Sequence, residues 1–222
     1  MRAAVRVSAA EGYALWAETW DATPSPIAAL EERSLRPWLE GLRARRAIDV
    51  GCGTGRWSER LGALGFDASA AMLAVAARKP SLAGRLAVAD AAALPLASAC
   101  AGLVLCALTL GHIPRPAAAM REFARILEPG GVLIVTDFHP EAAAAGWRRT
   151  FRRDGQLYEL ENHAYTVDAL RATLAGALVC EEVRNARIGE PERHLFDLAG
   201  RPELFEAACV RPAVLLSRWR RV

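Results

Sequence analysis

The chain has 222 residues, of which 53% are hydrophobic and 24% charged, and its formal net charge is +3. This composition is typical of one globular domain with a sizeable core, and the charge is too small to indicate a nucleic-acid-binding surface. The five cysteines show no CxxC pair or other metal-ligand spacing, and no stretch approaches the ~20 apolar residues of a membrane span. We therefore expect a cytoplasmic protein with reduced thiols, no metal site, no signal peptide and no membrane contact.

The first part of the chain, residues 1–40, is predicted to be helical. Residues 27–39 have a helical pattern, and Tyr13, Trp16 and Trp20 before them recur at spacings that place them on one helix face. Such an aromatic face is commoner in a core than around a ligand, but it also suits a lid, and both interpretations stay open. We expect a single domain over residues 1–222 in which residues 1–40 form an N-terminal helical lid.

From residue 47 onward, short apolar runs alternate with helical patterns. The predicted strands are residues 47–50, 63–66, 86–89, 103–106 and 132–136, and the predicted helices are residues 57–64, 70–78 and 117–127. Strands without polar alternation are buried on both faces, which predicts a parallel sheet covered by helices. In such a doubly wound sheet, the ligand lies at the carboxyl ends of the strands.

The last third of the chain has a different rhythm. Residues 167–175 and 202–208 are predicted helices, and residues 179–188 and 213–219 are predicted strands. The segment 141–165 is the hardest to assign, but it follows the fifth strand, where a substrate-covering insertion belongs. Its apolar side chains would suit a small, partly apolar ligand: Trp147, Phe151, Leu157 and Tyr158.

The sharpest motif is the segment DVGCGTG from Asp49 to Gly55, between a predicted strand and a predicted helix. Glycines let the backbone turn tightly, and the following helix offers free N–H groups to a nucleotide or a carboxylate. Arg56 stands where a dinucleotide fingerprint needs its third glycine, which argues against a nicotinamide-dependent oxidoreductase, and no GK[ST] of a phosphate loop follows. Asp49 can accept hydrogen bonds from an ammonium group, such as that of a methionine moiety.

Two further aspartates follow predicted strands. Asp67 can bind both hydroxyls of a ribose, and Asp90 can accept from an exocyclic amino group. Each alone fits an ordinary turn, but three successive strand ends that each carry an acid favour a nucleoside site. Only twelve positions separate Gly55 from Asp67, so the helix between them must be short or the second strand truncated.

These segments together resemble the class I S-adenosylmethionine (SAM)-dependent methyltransferases, and among them the small-molecule group that includes the ubiquinone and menaquinone biosynthesis enzymes. The resemblance covers roughly residues 47–140. It implies a Rossmann-like α/β fold with a doubly wound, mostly parallel seven-stranded sheet whose last strand is antiparallel. It also implies SAM as the cofactor and these cofactor-binding residues: Asp49, Gly51, Cys52, Gly53, Gly55, Asp67, Ala68, Met72, Asp90, Ala91, Cys106 and Ala107.

The implied reaction moves a methyl group from SAM to an oxygen, nitrogen or carbon nucleophile of a small molecule. Such an enzyme mainly aligns donor and acceptor and excludes water, and a general base helps some acceptors. His112 follows the fourth strand and His139 the fifth, so each is a candidate base or substrate anchor. We favour His139, because Asp137 lies two residues away and can bias its charge state.

Other functions remain to be weighed against this one. A methyltransferase of base nitrogens usually has an [Asn/Asp]-Pro-Pro-aromatic motif after the fourth strand, where this chain has Cys106-Ala107-Leu108-Thr109. An RNA or protein methyltransferase and a catalytically degenerate SAM-binding domain that acts through a partner are the alternatives. The cluster Arg148, Arg149, Arg152 and Arg153 is expected to be solvated surface, with contact to an anionic substrate group as the second interpretation.

Overall fold

The computed structural model describes residues 3–42, 46–174 and 176–222. Its strands are β1 (Val5–Val7), β2 (Ala47–Val50), β3 (Leu64–Asp67), β4 (Leu86–Val88), β5 (Ala101–Ala107), β6 (Leu127–Phe138), β7 (Thr150–Arg153), β8 (Gln156–Leu160), β9 (Leu178–Ala186) and β10 (Val214–Arg221). Its α-helices are α1 (Ala9–Trp16), α2 (Pro26–Glu40), α3 (Arg56–Leu61), α4 (Ala70–Ala76), α5 (Pro116–Ile126), α6 (Pro140–Ala144), α7 (Val167–Arg171), α8 (Arg193–Leu198) and α9 (Phe205–Cys209).

The main sheet has seven strands among the described residues, in the order β4-β3-β2-β5-β6-β10-β9. Strands β4, β3, β2, β5 and β6 pair in parallel, while β10 is antiparallel to both β6 and β9. This confirms the predicted doubly wound sheet with its last strand antiparallel. The carboxyl ends of the first five of these strands therefore lie along one edge, which is where the predicted site residues follow them.

The centre of the sheet is buried on both faces because its strands lack polar alternation. Val104 and Cys106 of β5 pack into one apolar cluster with Met120 and Phe123 of α5. Leu103 and Leu105, the alternate residues, pack into the opposite cluster together with Leu30 and Trp38 of α2. Both faces thus hold the sheet rigid beneath its carboxyl edge.

The helix after the glycine loop is shorter than predicted. It ends at Leu61, because Gly62 adopts a left-handed conformation as its cap, and β3 starts at Leu64. The strand still pairs with β2 on one side and β4 on the other. The short span to Asp67 is therefore taken up by the helix and not by the strand.

The larger of the other differences from the predicted boundaries concern three elements. Strand β6 begins at Leu127, five residues early, because Leu127 pairs with Ala101 before the register shifts. Helix α7 ends at Arg171, whereas its predicted range ran to residue 175, which lies outside the described residues. Residues 1 and 2 of the predicted lid also lie outside them. The predicted helix 202–208 is a short 3₁₀ turn followed by α9.

The N-terminal segment and the 141–165 insertion meet in a second, three-stranded sheet of order β1-β8-β7. Strand β1 pairs in parallel with β8, and β7 forms an antiparallel hairpin with β8. Helix α1 begins with a capping box between Ser8 and Glu11 and packs on this sheet. We call the unit formed by β1, α1, β7 and β8 the cap.

Stacked aromatic rings join the two parts of the cap. The Phe151 ring lies 4.6 Å from that of Trp16 and 5.1 Å from that of Tyr158, nearly parallel to both. Trp16 also contacts Trp20, with ring centroids 4.3 Å apart. The aromatic face of the N-terminal segment therefore packs against the insertion.

Among the described residues, the helices are all too short or too polar to cross a bilayer.

Candidate active site

The glycine loop turns sharply between β2 and α3, and two of its glycines are required by close neighbours. A Cβ on Gly51 would lie 2.1 Å from the Thr109 side chain, and one on Gly55 would lie 2.3 Å from Leu82. Both residues also have positive φ angles, of 71° and 83°, which side chains disfavour. Glycine is thus needed there to seat the loop against its neighbours, a requirement the sequence alone did not reveal.

Asp67, at the end of β3, reaches the glycine loop directly. One carboxylate oxygen accepts from the Gly53 N–H at 2.7 Å, and the other accepts from the Ser69 N–H at 2.7 Å. Burial raises the pKa of Asp67, against the effect of these two hydrogen bonds. The neighbouring Ala68 is exposed and Met72 is buried. The structure therefore brings the predicted ribose ligand and the glycine loop together.

Asp90 lies farther along the same edge, in the turn after β4. It is exposed, and its Oδ1 accepts from the Ala92 N–H at 2.9 Å. Ala91 beside it is half-buried. At the end of β5, Cys106 is fully buried, whereas Ala107 is half-buried. The residues predicted around the adenosine thus follow adjacent strands of one sheet edge.

Asp49 is enclosed beneath the loop. It is 1% exposed, and its Oδ2 accepts from the Ser58 hydroxyl at 2.7 Å. Burial raises the pKa of Asp49 to about 7. Burial likewise raises the pKa of the neighbouring Cys52 thiol, which stays protonated at neutral pH. In this arrangement Asp49 ties α3 to the end of β2, a contact that the expected ammonium would have to share.

A buried carboxylate from α2 supports the loop from behind. Glu31 is fully buried, and its carboxylate accepts from Arg56 Nη2 at 2.7 Å, Trp57 Nε1 at 3.3 Å and Thr136 Oγ1 at 3.0 Å. This residue was missed from the sequence. Its signal is its place on the apolar face of α2, four residues before the buried Leu35. The network explains why an arginine, and not a glycine, follows Gly55.

On the other side of the loop, the cap contributes Tyr13 to a polar pair with His112. The Tyr13 hydroxyl lies 2.7 Å from His112 Nε2, and His112 Nδ1 lies 3.0 Å from the Glu161 carbonyl oxygen. Burial, helped by the nearby Arg149 cation, lowers the pKa of His112 to about 3. Burial also raises the pKa of Tyr13 to about 12, against the effect of Arg149. Both side chains are therefore neutral at physiological pH.

Arg149 and Asp137 form an ion pair below this pair of residues. Arg149 Nη2 donates to Asp137 Oδ1 at 2.6 Å, and Nη1 donates to the Leu108 carbonyl oxygen at 3.0 Å. The other Asp137 oxygen accepts from the Gly111 N–H at 2.5 Å. Because the Arg149 side chain is only 11% exposed, the expectation that it belongs to a solvated arginine surface is corrected.

His139 lies elsewhere, at the start of α6, and it is 7% exposed. Its Nδ1 accepts from the Glu141 N–H at 3.1 Å, so Nε2 carries the ring proton and donates to Asn185 Oδ1 at 3.1 Å. The Asp137 carboxylate, two residues before His139, binds Arg149 and Gly111. Both ring nitrogens of His139 have structural partners.

The segment after α1 fastens the cap to the glycine loop. The Thr54 hydroxyl of the loop donates to Asp21 Oδ1 at 2.6 Å. Glu18, in the 3₁₀ turn after α1, forms a bidentate ion pair with Arg78, which follows α4. The cap is thus joined to the glycine loop, to α4 and, through Tyr13, to the end of β5.

Comparison with known proteins concerns the domain and the fold. Residues 48–135 match a family described as "Methyltransferase domain". The fold superposes on the crystal structure of an S-adenosylmethionine-dependent methyltransferase from Mesorhizobium loti, with a TM-score of 0.64 and 26% identity over 89% of this chain and 100% of that one. Residues 48–135 therefore form a methyltransferase domain of the class I, SAM-dependent type. SAM is the cofactor of this methyltransferase.

Two proteins with similar sequences show how much of a longer protein this chain matches. An uncharacterized protein of Mycobacterium tuberculosis is 35% identical over 182 residues, which is 74% of this chain and 61% of that protein. A ubiquinone biosynthesis O-methyltransferase of Ralstonia nicotianae is 37% identical over 120 residues, which is 48% of this chain and 50% of that protein. The matched region therefore spans between half and two thirds of these relatives.

Proposed function

We propose that this methyltransferase moves the methyl group of SAM to a small-molecule nucleophile held between the strand ends and the cap. The observation that carries the proposal is the hydrogen bond from the Gly53 N–H to Asp67, with the Tyr13–His112 pair beside it under the cap. The hydrogen bond holds Asp67 against the glycine loop at the carboxyl edge of the sheet, where we propose that the nucleoside binds. Tyr13 and His112 lie at the same edge, where we propose that the acceptor binds.

On the cofactor side, we propose that the loop backbone holds the methionine moiety through Gly51, Cys52, Gly53 and Gly55. Asp67, Ala68 and Met72 would hold the ribose, Asp90 and Ala91 the adenine, and Cys106 and Ala107 the region beside the sulfonium. Asp49 acts mainly by fixing the loop through Ser58. SAM supplies an activated methyl group, so the task of these residues is to hold it in line with the acceptor.

On the acceptor side, we propose that the N-terminal segment and the 141–165 insertion act together as one cover that excludes water. Their stacked Trp16, Phe151 and Tyr158 rings make the cover apolar. We also propose that His112, and not His139, serves the acceptor. His112 is linked to the cap through Tyr13, whereas both nitrogens of His139 are held by α6 and β9.

The test combines cofactor binding with methyl transfer. The thermal unfolding midpoint of the full chain is measured alone and with SAM, S-adenosylhomocysteine or NADH. A ligand at a hundred times its dissociation constant stabilises the native state by about 2.7 kcal/mol, which shifts the midpoint by several degrees. We expect a shift with the first two ligands only.

The matched variant is Asp67→Asn, which is expected to weaken binding of both SAM compounds at least tenfold, with Asp154→Asn, an exposed aspartate of the β7–β8 turn, as its control. A shift with NADH alone would contradict the proposal. Tight SAM binding without S-adenosylhomocysteine release over a panel of oxygen, nitrogen and carbon acceptors would favour the degenerate, partner-acting domain instead.

A further inference from the structure

The direction of the hydrogen bond between Tyr13 and His112 is fixed by their surroundings. The Glu161 carbonyl oxygen can only accept, so His112 Nδ1 must carry the ring proton. Nε2 is then bare, and the Tyr13 hydroxyl must donate to it across 2.7 Å. The Tyr13 oxygen is therefore left with lone pairs only. A group that approaches it under the cap has to bring its own hydrogen.

This oxygen lies beside the cofactor side of the site. The charges of Arg149, Asp137 and Asp67 all act on the Tyr13 hydroxyl, and Asp67 is the residue bound to the glycine loop. Arg149 also acts on Tyr13 as a hydrogen-bond donor. One lone pair of the Tyr13 oxygen therefore faces Arg149, and the other is left for an acceptor. Tyr13 comes from α1 of the cap, whereas His112 follows β5. The Tyr13 oxygen thus stands between the cap and the strand ends, where the methyl acceptor is proposed to lie.

Most donors of Arg149 and Gly111 are already engaged. The Arg149 Nη1 and Nη2 groups donate to Leu108 and Asp137, and the Gly111 N–H donates to the same Asp137. Among the described residues, the Arg149 Nε–H is buried and makes no hydrogen bond of normal length, and the Arg149 side chain faces the Tyr13 oxygen. An acceptor with a carboxylate would therefore place its oxygens against the lone pairs of Tyr13, which is unfavourable. The charge of Arg149 would not compensate, because Asp137 already neutralises it.

A proton released by an acceptor also has no good destination through this pair. It would pass to Tyr13 while Tyr13 gives its own proton to His112, and a buried imidazolium would form next to the Arg149 cation. Like charges that close in a desolvated site are unfavourable. An alcohol, which must lose its proton as it is methylated, is poorly served by such a relay.

We propose that the methyl acceptor is a neutral, weakly basic nitrogen whose N–H donates to the Tyr13 oxygen, with His112 as a positioning residue that orients Tyr13. This inference rests on the proposed function. The nitrogen lone pair attacks the methyl carbon, the N–C bond forms, and the S–C bond breaks with its electron pair going to sulfur. The positive charge moves from sulfur to nitrogen. The extra proton leaves the product nitrogen to water after release, so no base is needed in the transfer.

The test is a matched panel of acceptors on one phenyl frame: aniline against phenol and benzoate, each at saturating SAM. Methyl groups are traced with SAM that carries a trideuterated methyl, and the labelled atom is located by mass spectrometry. We expect labelled nitrogen in aniline and at least tenfold lower kcat/KM for phenol and benzoate. Labelled oxygen at comparable or higher kcat/KM, or no labelled nitrogen product while SAM still binds, would overturn the inference. Absence of SAM binding would instead overturn the proposed function.

The variant Tyr13→Phe removes the accepting oxygen and keeps the ring, and Asp154→Asn, at an exposed turn, serves again as the control. Tyr13→Phe is expected to lower kcat/KM for the nitrogen acceptor at least tenfold with SAM affinity within twofold, whereas Asp154→Asn stays within twofold in both. His112→Gln keeps an oxygen that can accept from Tyr13 and should restore part of the activity that His112→Leu loses. Equal kcat/KM for Tyr13→Phe and Asp154→Asn would refute the contact with the acceptor.

Discussion

Replacing Arg56 by alanine tests whether the buried Glu31 network holds the glycine loop. Glu31 is 0% exposed and Arg56 28%, and their atoms are 2.7 Å apart. Removing one partner of a buried ion pair costs about 3–5 kcal/mol, because the other charge stays buried and unpaired. Since Arg56 is partly exposed and Trp57 and Thr136 still donate to Glu31, we expect the lower end, about 3 kcal/mol.

The free energy of unfolding is measured by urea titration, and the thermal midpoint by heating, for Arg56→Ala and for a control variant. For a chain of this size, about 3 kcal/mol corresponds to a fall in the thermal midpoint of roughly 6–12 °C. The control is Arg36→Ala, which breaks an exposed pair with Glu32 one helical turn away and should cost under about 0.5 kcal/mol. Adding Glu31→Gln to Arg56→Ala removes the stranded charge and should recover part of the loss. Equal destabilisation by Arg56→Ala and Arg36→Ala would refute the role given to Glu31.

Four further substitutions have expected outcomes. The pKa of Asp49 is raised from 3.8 to about 7, so the folded state prefers the protonated carboxyl group. The free energy of unfolding should therefore fall as the pH rises from about 4 to about 7. At about 1.4 kcal/mol per pH unit, the fall amounts to at most about 4 kcal/mol. Asp49→Asn should remove this fall in urea titrations across that pH range, and a constant difference from the unsubstituted protein would contradict the assignment. Gly53→Ala should cost about 1–2 kcal/mol for its left-handed backbone, and Gly51→Ala clearly more because of Thr109; equal losses would show that the loop yields easily. His139→Ala should lower stability by about 1–2 kcal/mol through its lost hydrogen bonds and change turnover less than twofold; lost turnover at unchanged stability would restore His139 as the base.

The central sheet could be predicted because its signals are local. The continuous apolar run that became β5 and the strand that ends at Val50 each carry their own pattern over a few residues, and burial on both faces requires that pattern. The loop from Gly51 to Gly55 is likewise contiguous, so its place between a strand and a helix followed directly. Asp67 could be placed at a strand end, although its bond to the Gly53 N–H is a tertiary contact.

By itself, the sequence determined the doubly wound sheet and the glycine loop at its edge, because neighbouring residues specify strands, turns and helix starts. Only the tertiary structure decided how the cap is assembled. Val5 pairs with Tyr158 across most of the chain, and no local pattern announces a partner at that distance. The same long-range packing buries Arg149 against Asp137 and turns the Tyr13 proton toward His112. Charge pairing and hydrogen-bond direction depend on which groups meet in space, and that depends on the whole fold.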